Sequence, residues 1–480
     1  MNSKLVFSVT GRIFVAMSLI LLLPAAVALI YRESCFFAFL ICAAAAFAIG
    51  IILKCVTKNH SNVMYAKEGF LIVALAWLLM SLIGCLPFVI SGEIPNFADA
   101  LFETVSGFTT TGASILTDVE SLSKGLLFWR SFTHWIGGMG VLVFILAFAS
   151  GISDRSIHIL RAEMPGPIVG KLMPRARDTS KILYIMYIVL TVLQIILLLA
   201  GGMPLFESML HAFGTAGTGG FGIKADGVAG YSPYLQWVIG IFMMIFGVNF
   251  NLYYLVLIKR FKAAIKSTEL RVYVCMVLAS TALIAVNISR FYGGIEQTVR
   301  TAFFQVSSII TTTGFATTDF NLWPSFSKAI LLILMFTGAC AGSTAGGLKI
   351  SRVIILFRMI TRELRRMLHP RSVTAVQFEG KQVDEATQRS VATYFAVYMA
   401  CILAVFLLLS LEPFNFETNF SAAVSCFNNI GPAFGAAGPM ASYAEYSSFS
   451  KIVLSLAMLL GRLEIFPIFI AFIPSSWTRK

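Results

Sequence analysis

Charge is scarce in this 480-residue chain: 12% of its residues are Asp, Glu, Lys or Arg, whereas 58% are hydrophobic. Soluble domains are about 25% charged, so a soluble protein of this composition would expose apolar surface to water and aggregate. Disorder is excluded as well, because a chain with 42 phenylalanines and so little charge does not stay unfolded in water. The composition is typical of a polytopic membrane protein.

Motifs for catalysis and metal binding are also missing. The five histidines form no HExxH motif, no GxSxG motif is present, and the eight cysteines form no CxxC or Cys/His spacing. These absences argue against a membrane-embedded enzyme, a zinc site and a disulfide framework. We therefore expect no enzymatic activity and no cofactor in this chain.

Ten apolar runs have about the length of 20 residues that a membrane-crossing helix needs. They lie near residues 13–30, 35–53, 69–91, 126–150, 181–201, 233–258, 272–288, 328–347, 391–411 and 449–473. Four shorter runs, rich in Thr, Ser and Gly, lie near 98–112, 206–220, 300–314 and 418–431. Non-helical backbone at membrane depth is tolerated only inside protein or along a water-filled path, so we predict that these short runs are re-entrant.

The four short runs resemble one another, which indicates an internal repeat. Aligned on one glycine each, they read LFETVSGFTTTGA, MLHAFGTAGTGGF, FFQVSSIITTTGF and FSAAVSCFNNIGP. The residues six positions before the glycine are all small: Ser106, Gly214, Ser308 and Ser425. The alternative, ordinary extracellular loops, does not explain why all four share one register and each lies between two spans.

The predicted fold is an all-α polytopic membrane protein with four span–loop–span repeats, arranged pseudo-fourfold around one pore. Two extra spans are expected over residues 1–68, and the repeats over 69–155, 156–268, 269–390 and 391–480. Each half-helix would direct its partly negative carbonyl end at the membrane centre, and carbonyl rings in the returning loop can replace the hydration shell of K⁺. The predicted filter residues are Thr109, Thr110, Thr111, Gly112, Gly217, Thr218, Gly219, Gly220, Thr311, Thr312, Thr313, Gly314, Asn428, Asn429, Ile430 and Gly431.

A glycine-rich segment, TGACAGSTAGGLK over residues 337–349, interrupts the span that follows the third short run. Each Gly costs about 1 kcal/mol relative to Ala in a helix, so a break is predicted here. The alternative is close helix packing of the GxxxG type. The segment is not a phosphate-binding Walker loop, because Leu348 is inserted before Lys349 and a membrane span precedes it.

The paired TTTG motifs, their TGGF and NNIGP variants and the glycine-rich interruption resemble the Trk/Ktr/HKT superfamily of potassium transporters. The two extra spans make the chain most similar to the bacterial Trk-type membrane subunit. The resemblance implies K⁺ uptake through a gated pore in the bacterial inner membrane, a homodimer, and a cytosolic nucleotide-binding regulatory subunit of the RCK/KTN type. It also implies a gating loop that includes Gly338, Gly342, Ser343, Thr344, Gly346 and Gly347.

The same resemblance puts Arg462 just below the filter, where its charge would raise the barrier to a cation. A charge within apolar sequence usually faces a pore or a partner, so the alternative is a structural pair with Glu464 or with loop carbonyls. Glu103, near the start of the first short run, is interpreted as an acid that favours a helix N-terminus.

Two other transport functions stay open at this stage. Because the second and fourth loops depart from TTTG, a Na⁺-dependent or Na⁺-permeable member of the same superfamily is the main alternative. An ion-coupled secondary transporter would show two inverted repeats, whereas these four repeats run in the same sense. With the N-terminus inside, most of the 36 Lys and Arg residues fall in inner loops, so the net charge of +13 follows the positive-inside rule and requires no nucleic-acid partner.

Overall fold

The protein is helical in a computed structural model that describes residues 3–57, 66–140, 176–371 and 374–474. The helices within these ranges are α1 (Ser3–Ile30), α2 (Cys35–Val56), α3 (Ala66–Ser91), α4 (Phe97–Phe108), α5 (Lys124–Gly138), α6 (Ala176–Ala200), α7 (Leu205–Gly217), α8 (Pro233–Phe246), α9 (Phe250–Leu257), α10 (Phe261–Ile265), α11 (Thr268–Ile288), α12 (Ile295–Ile310), α13 (Ser325–Thr337), α14 (Ile350–Leu368), α15 (Glu385–Leu409), α16 (Phe416–Phe427), α17 (Ser448–Arg462) and α18 (Phe466–Phe472). A small antiparallel hairpin, β1 (Gln377–Phe378) with β2 (Lys381–Gln382), separates α14 from α15.

Six of the described helices, α1, α2, α3, α6, α11 and α15, are long and apolar enough to cross a membrane. Two helix pairs reach that length only together, and each pair is strongly bent: α8 with α9 by 92° and α17 with α18 by 118°. The prediction of continuous spans near 233–258 and 449–473 is therefore wrong. Counting each bent pair as one span gives eight spans in the described residues, against ten predicted from the sequence.

Local chemistry explains both bends. After α8 ends, Asn249 begins α9 by accepting a hydrogen bond from the N–H of Asn251 at 2.9 Å, the usual role of an asparagine N-cap. After α17 ends, Glu464 and Ile465 have positive φ angles of 55° and 66°, which a helix does not tolerate. The new helix then starts with Pro467 in its first turn.

The remaining two predicted spans also end early. α5 stops at Gly138 instead of continuing toward residue 150, and residues 141–150 lie outside the described ranges, as does the expected boundary between the first two repeats at 155 and 156. α13 stops at Thr337, where the glycine-rich segment predicts a break. The four helices α5, α8, α13 and α17 consequently have similar lengths of 15, 14, 13 and 15 residues.

The four predicted re-entrant runs are short helices, namely α4, α7, α12 and α16. Asparagine side chains cap two of them: Asn96 accepts from the N–H of Ala98 at 2.9 Å, and Asn415 accepts from the N–H of Thr418 at 2.8 Å. Each short helix packs on the helix that follows it, α4 on α5, α7 on α8, α12 on α13 and α16 on α17. Further contacts join α5 to α7, α8 to α12, α13 to α16 and α17 to α4. The eight helices therefore contact one another in a closed circle.

Candidate functional site

Each of the four short helices ends in the same hydrogen-bonded turn. At the end of α4, the N–H of Thr111 donates to the carbonyl of Ser106 at 2.8 Å and that of Thr110 donates to Gly107 at 3.1 Å. This pair of bonds is a Schellman motif, which satisfies carbonyls that a helix end leaves without partners. The first of these bonds, between residues five positions apart, recurs from Gly219 to Gly214, from Thr313 to Ser308 and from Ile430 to Ser425, at 2.8–3.0 Å. The small residues that the alignment identifies are the acceptors of this bond in every copy.

The loops that follow these helices share one backbone conformation. We name them loop 1 (109–112), loop 2 (217–220), loop 3 (311–314) and loop 4 (428–431). The second residue of each loop has a left-handed backbone conformation. The φ angles lie between 55° and 58° at Thr110, Thr218, Thr312 and Asn429. Left-handed residues other than glycine cost about 1–3 kcal/mol and persist only where their surroundings hold them. The final glycines also have positive φ, between 70° and 99° at Gly112, Gly220, Gly314 and Gly431.

The four loops contact one another in a cyclic order. A Cβ atom added to the final glycine of one loop would overlap a backbone carbonyl oxygen of the next loop. The pairs are Gly112 with Gly219, Gly220 with Thr313, Gly314 with Ile430, and Gly431 with Thr111. All four final glycines also line one cavity of about 370 Å³. The predicted filter residues thus lie together, and the close approach of neighbouring backbones leaves no space for a side chain at the glycines.

Side-chain oxygens accompany the left-handed positions. The amide nitrogen of Asn429 donates to the hydroxyl of Thr111 at 3.0 Å and to the carbonyl of Met458 at 2.9 Å, which joins loop 4 to loop 1. Among the residues that the structure describes, the buried Oγ1 of Thr110 and Oδ1 of Asn429 have no hydrogen-bond partner. Buried polar atoms are rarely left unpaired, so these two oxygens are exceptions at the ring of loops.

The segment between α13 and α14 is folded against the loops as an irregular chain, which we name the Gly-rich loop (residues 338–349). The N–H of Gly346 donates to Oγ1 of Thr312 in loop 3 at 2.7 Å. Glycine is required at Gly346 because a Cβ atom there would lie 2.5 Å from the carbonyl oxygen of Asn428. The predicted helix break is confirmed, and it lies directly against loops 3 and 4.

Residues 36–479 match the model of a family described as cation transport protein, TrkH. The chain belongs to the TrkH family. It is 35% identical to the Trk system potassium uptake protein TrkH of Salmonella typhimurium, over 99% of this chain and 100% of the relative. The Trk system potassium uptake protein TrkG of Escherichia coli is also 35% identical, over 96% of each chain. The crystal structure of the potassium transporter TrkH from Vibrio parahaemolyticus matches all of this chain with a TM-score of 0.90 at 30% identity.

In this TrkH-family chain, the Arg462 side chain joins two segments. Its Nη1 donates to the carbonyl of Thr344 in the Gly-rich loop at 2.9 Å. Its Nη2 donates to two carbonyls at the end of α5, that of Gly137 and, at 2.9 Å, that of Gly138. Among the ion pairs within the described residues, Glu464 pairs with Arg352 at 2.7 Å and not with Arg462. Of the two structural partners considered from the sequence, Glu464 and loop carbonyls, Arg462 contacts a loop carbonyl, that of Thr344.

The Gly-rich loop has further partners that the sequence did not reveal. Two backbone hydrogen bonds join it to the junction of α8 and α9. The N–H of Cys340 donates to the carbonyl of Gly247 at 3.1 Å, and the N–H of Phe250 donates to the carbonyl of Gly342 at 3.1 Å. On the α11 side, the carboxylate of Glu269 accepts from the backbone N–H of Ala341 in the loop and from that of Ser351 in the first turn of α14. A lone acid within a basic segment was the only available signal for Glu269.

The interpretation of Glu103 from the sequence is wrong. It lies in the second half of α4 rather than at the helix start, where Asp99 is the acid of the first turn. Glu103 is buried and forms an ion pair with Arg130 of α5. Arg130 also donates to the carbonyl of Gly222 at 2.9 Å and lies over the ring of Phe221, 3.9 Å from its centroid. The pair therefore joins α4 and α5 to the chain that leaves loop 2.

Proposed function

We propose that this protein takes up K⁺ across a bacterial inner membrane through one pore. Four repeats surround the pore with pseudo-fourfold symmetry, and two extra spans precede them in the chain. The observation that carries the proposal is the cyclic contact of four loops with one shared backbone conformation. Membership of the TrkH family supports K⁺ as the transported ion, because the similar proteins of Salmonella typhimurium and Vibrio parahaemolyticus are named as a potassium uptake protein and a potassium transporter.

Loops 1 to 4 act as the selectivity filter in this proposal. Their backbone carbonyls replace the water around a dehydrated K⁺ ion, as rings of carbonyls do in potassium channels. The carbonyl ends of α4, α7, α12 and α16 add a partial negative charge that favours a cation. The hydroxyl of Thr110 and the amide oxygen of Asn429, which lack partners among the described residues, supply two more oxygens that a cation would satisfy.

The Gly-rich loop and Arg462 form the gate in this proposal. A cavity of only about 40 Å³ remains between them, lined by Gly346, Gly347, Lys349 and Arg462 among other residues. One water needs roughly 10–15 Å³ by the same measure, so the space holds a few waters and no hydrated ion. Conduction therefore requires the loop to move, and the positive charge of Arg462 opposes a resting cation until it does.

Partners follow from the same family membership. The relatives are named as proteins of a Trk system, which supports a multi-subunit assembly. We propose a homodimer in the lipid bilayer whose protomers each hold a pore, controlled by a cytosolic RCK/KTN-type nucleotide-binding subunit. The basic face of α14, with Arg358, Arg362, Arg365 and Arg366, is exposed or half-exposed and is the surface proposed to meet that subunit or the lipid headgroups.

Growth rescue tests the function. The full chain, expressed with its partner in a bacterium that lacks K⁺ uptake, should restore growth on low K⁺ and should take up rubidium. Sodium added in excess should leave rubidium uptake almost unchanged. Strong competition by sodium would favour the Na⁺-permeable alternative, and dependence of uptake on a proton or sodium gradient would favour a secondary transporter. Failure to rescue growth when the protein is present in the membrane would refute K⁺ uptake.

A further inference from the structure

We propose that Glu269 is a latch that holds the Gly-rich loop in its closed position; this inference deepens the proposed gate and rests on it. Glu269 lies in the first turn of α11, and only 5% of the residue is exposed. Its Oε1 accepts a hydrogen bond from the N–H of Ala341 at 2.8 Å and another from the N–H of Ser351 at 3.1 Å. One carboxylate oxygen therefore joins the first half of the loop to the first turn of α14, which follows the loop.

The chemistry of these bonds makes them a strong restraint. One carboxyl oxygen satisfies two backbone N–H groups at once, so both bonds are lost together when the side chain moves away. Both donors are buried, so moving the loop away without a replacement acceptor leaves unpaired N–H groups. A neighbouring backbone bond, from the N–H of Ile350 to the carbonyl of Ala339 at 3.0 Å, closes the same loop but involves no side chain. Glu269 is thus the side-chain contact at the base of the Gly-rich loop.

A second acid connects this latch to the hairpin of β1 and β2. Oε1 of Glu379 accepts from the hydroxyl of Ser267 at 2.9 Å and from the N–H of Glu269 at 3.0 Å. Arg358 of α14 donates to the carbonyl of Gln377 in β1. The hairpin therefore contacts both the start of α11, which carries the latch, and α14, which begins where the Gly-rich loop ends. A partner that displaces the hairpin would shift Glu269 and the end of the loop together.

A purely local role for Glu269 makes a different prediction. An acid in the first helical turn stabilises a helix through the helix dipole, and its loss would only lower the stability of α11. A latch, in contrast, stabilises the closed loop relative to the open one. Its weakening should increase both the movement of the loop and the flux of ions through the pore, without loss of folded protein.

Labelling of Cys340 tests the latch without relying on transport. Cys340 lies in the Gly-rich loop and is fully buried, so a maleimide reaches it only when the loop opens. In the full-length protein in membranes, mass spectrometry should find Cys340 modified about tenfold faster in Glu269→Gln than in the wild type, a change of about 1.4 kcal/mol in loop opening. Glu269→Asp, which keeps the carboxyl group on a shorter side chain, should lie between the two. Glu385→Gln, in the exposed first turn of α15, is the matched control and should label like the wild type.

Rubidium uptake without the partner subunit completes the test. Glu269→Gln should take up rubidium several-fold faster than the wild type at equal membrane content and equal melting temperature, and Glu379→Gln should change in the same direction by less, because its carboxylate is exposed. Unchanged Cys340 labelling in Glu269→Gln would overturn the latch whatever the uptake. Faster labelling with unchanged uptake would keep the latch and reject the loop as the gate. A wild type that never transports K⁺, even with its partner, would reject the proposed function while the labelling still decides the latch.

Discussion

Thr312 and Gly346 join loop 3 to the Gly-rich loop: the N–H of Gly346 donates to Oγ1 of Thr312 at 2.7 Å. Thr312 has a φ of 55°, a conformation that is unfavourable for a β-branched residue and that glycine would adopt more easily. The hydroxyl gives a physical reason for threonine at this position. In the proposed pore, this bond is the direct mechanical link between the filter and the gate.

Removal of that hydroxyl should loosen the link. Thr312→Val keeps the shape and the β-branch but leaves the buried N–H of Gly346 without an acceptor, a loss of about 1–3 kcal/mol. We expect faster rubidium uptake in the absence of the partner subunit, together with weaker discrimination against sodium. Thr298→Val is the control, because the Thr298 hydroxyl donates to the carbonyl of Gly294, the N-cap residue of α12, away from the Gly-rich loop. Equal uptake and selectivity in Thr312→Val and the wild type would contradict the link.

Replacement of Arg462 separates its charge from its geometry. Arg462→Gln should raise rubidium uptake or lower its apparent KM by about tenfold, since hydrogen bonds to a charged group contribute about 1.5–3 kcal/mol. Arg462→Lys keeps the charge but cannot bridge Thr344 and Gly138 with a planar fork. If the charge is the barrier, the lysine variant should behave like the wild type; if the bridge matters more, it should behave like Arg462→Gln. Unchanged kinetics in both variants at equal expression would remove Arg462 from the gate.

Substitution of the final glycine of loop 3 should damage selectivity if the loops are the filter. Gly314 has a φ of 86°, and a Cβ atom there would overlap the carbonyl of Ile430 and lie 2.9 Å from Cδ of Pro432. In Gly314→Ser we expect the preference for K⁺ over Na⁺ to fall by about tenfold or more, equivalent to about 1.4 kcal/mol of differential ion binding. Competition of sodium with rubidium uptake measures it. Gly293→Ser, at an exposed turn with nothing within 4 Å of the added Cβ, should leave selectivity intact.

Loss of the buried ion pair should lower stability. Glu103 and Arg130 have side chains that are 0% and 3% exposed, so Glu103→Ala leaves a buried arginine without its carboxylate, at a cost of about 3–5 kcal/mol. We expect a clearly lower Tm for the detergent-solubilised protein. Glu417→Ala removes the half-exposed partner of Lys328 and should change stability by about 1 kcal/mol or less. Similar melting temperatures for the two variants would show that the buried pair contributes little.

Much of the fold could be predicted from composition and repetition. Apolar runs of about 20 residues predict helices because a bilayer leaves the backbone no other partners, and α1, α2, α3, α6, α11 and α15 follow such runs. The four short helices could be found because their turns require small residues and glycines at fixed spacing. The bends after Phe246 and Arg462 could not be predicted, because an apolar run has the same hydropathy whether it forms one straight helix or two bent ones.

The sequence by itself determined that this chain lies in a membrane, that it holds four similar loops, and that a glycine-rich segment interrupts one helix. Only the tertiary structure decided which loop contacts which, that Arg462 bridges Thr344 to the end of α5, and that Glu103 pairs with Arg130. The physical reason is distance along the chain. Hydropathy and turn chemistry act between neighbouring residues, whereas the latch at Glu269 and the ring of loops depend on contacts between segments some 70 to over 300 residues apart.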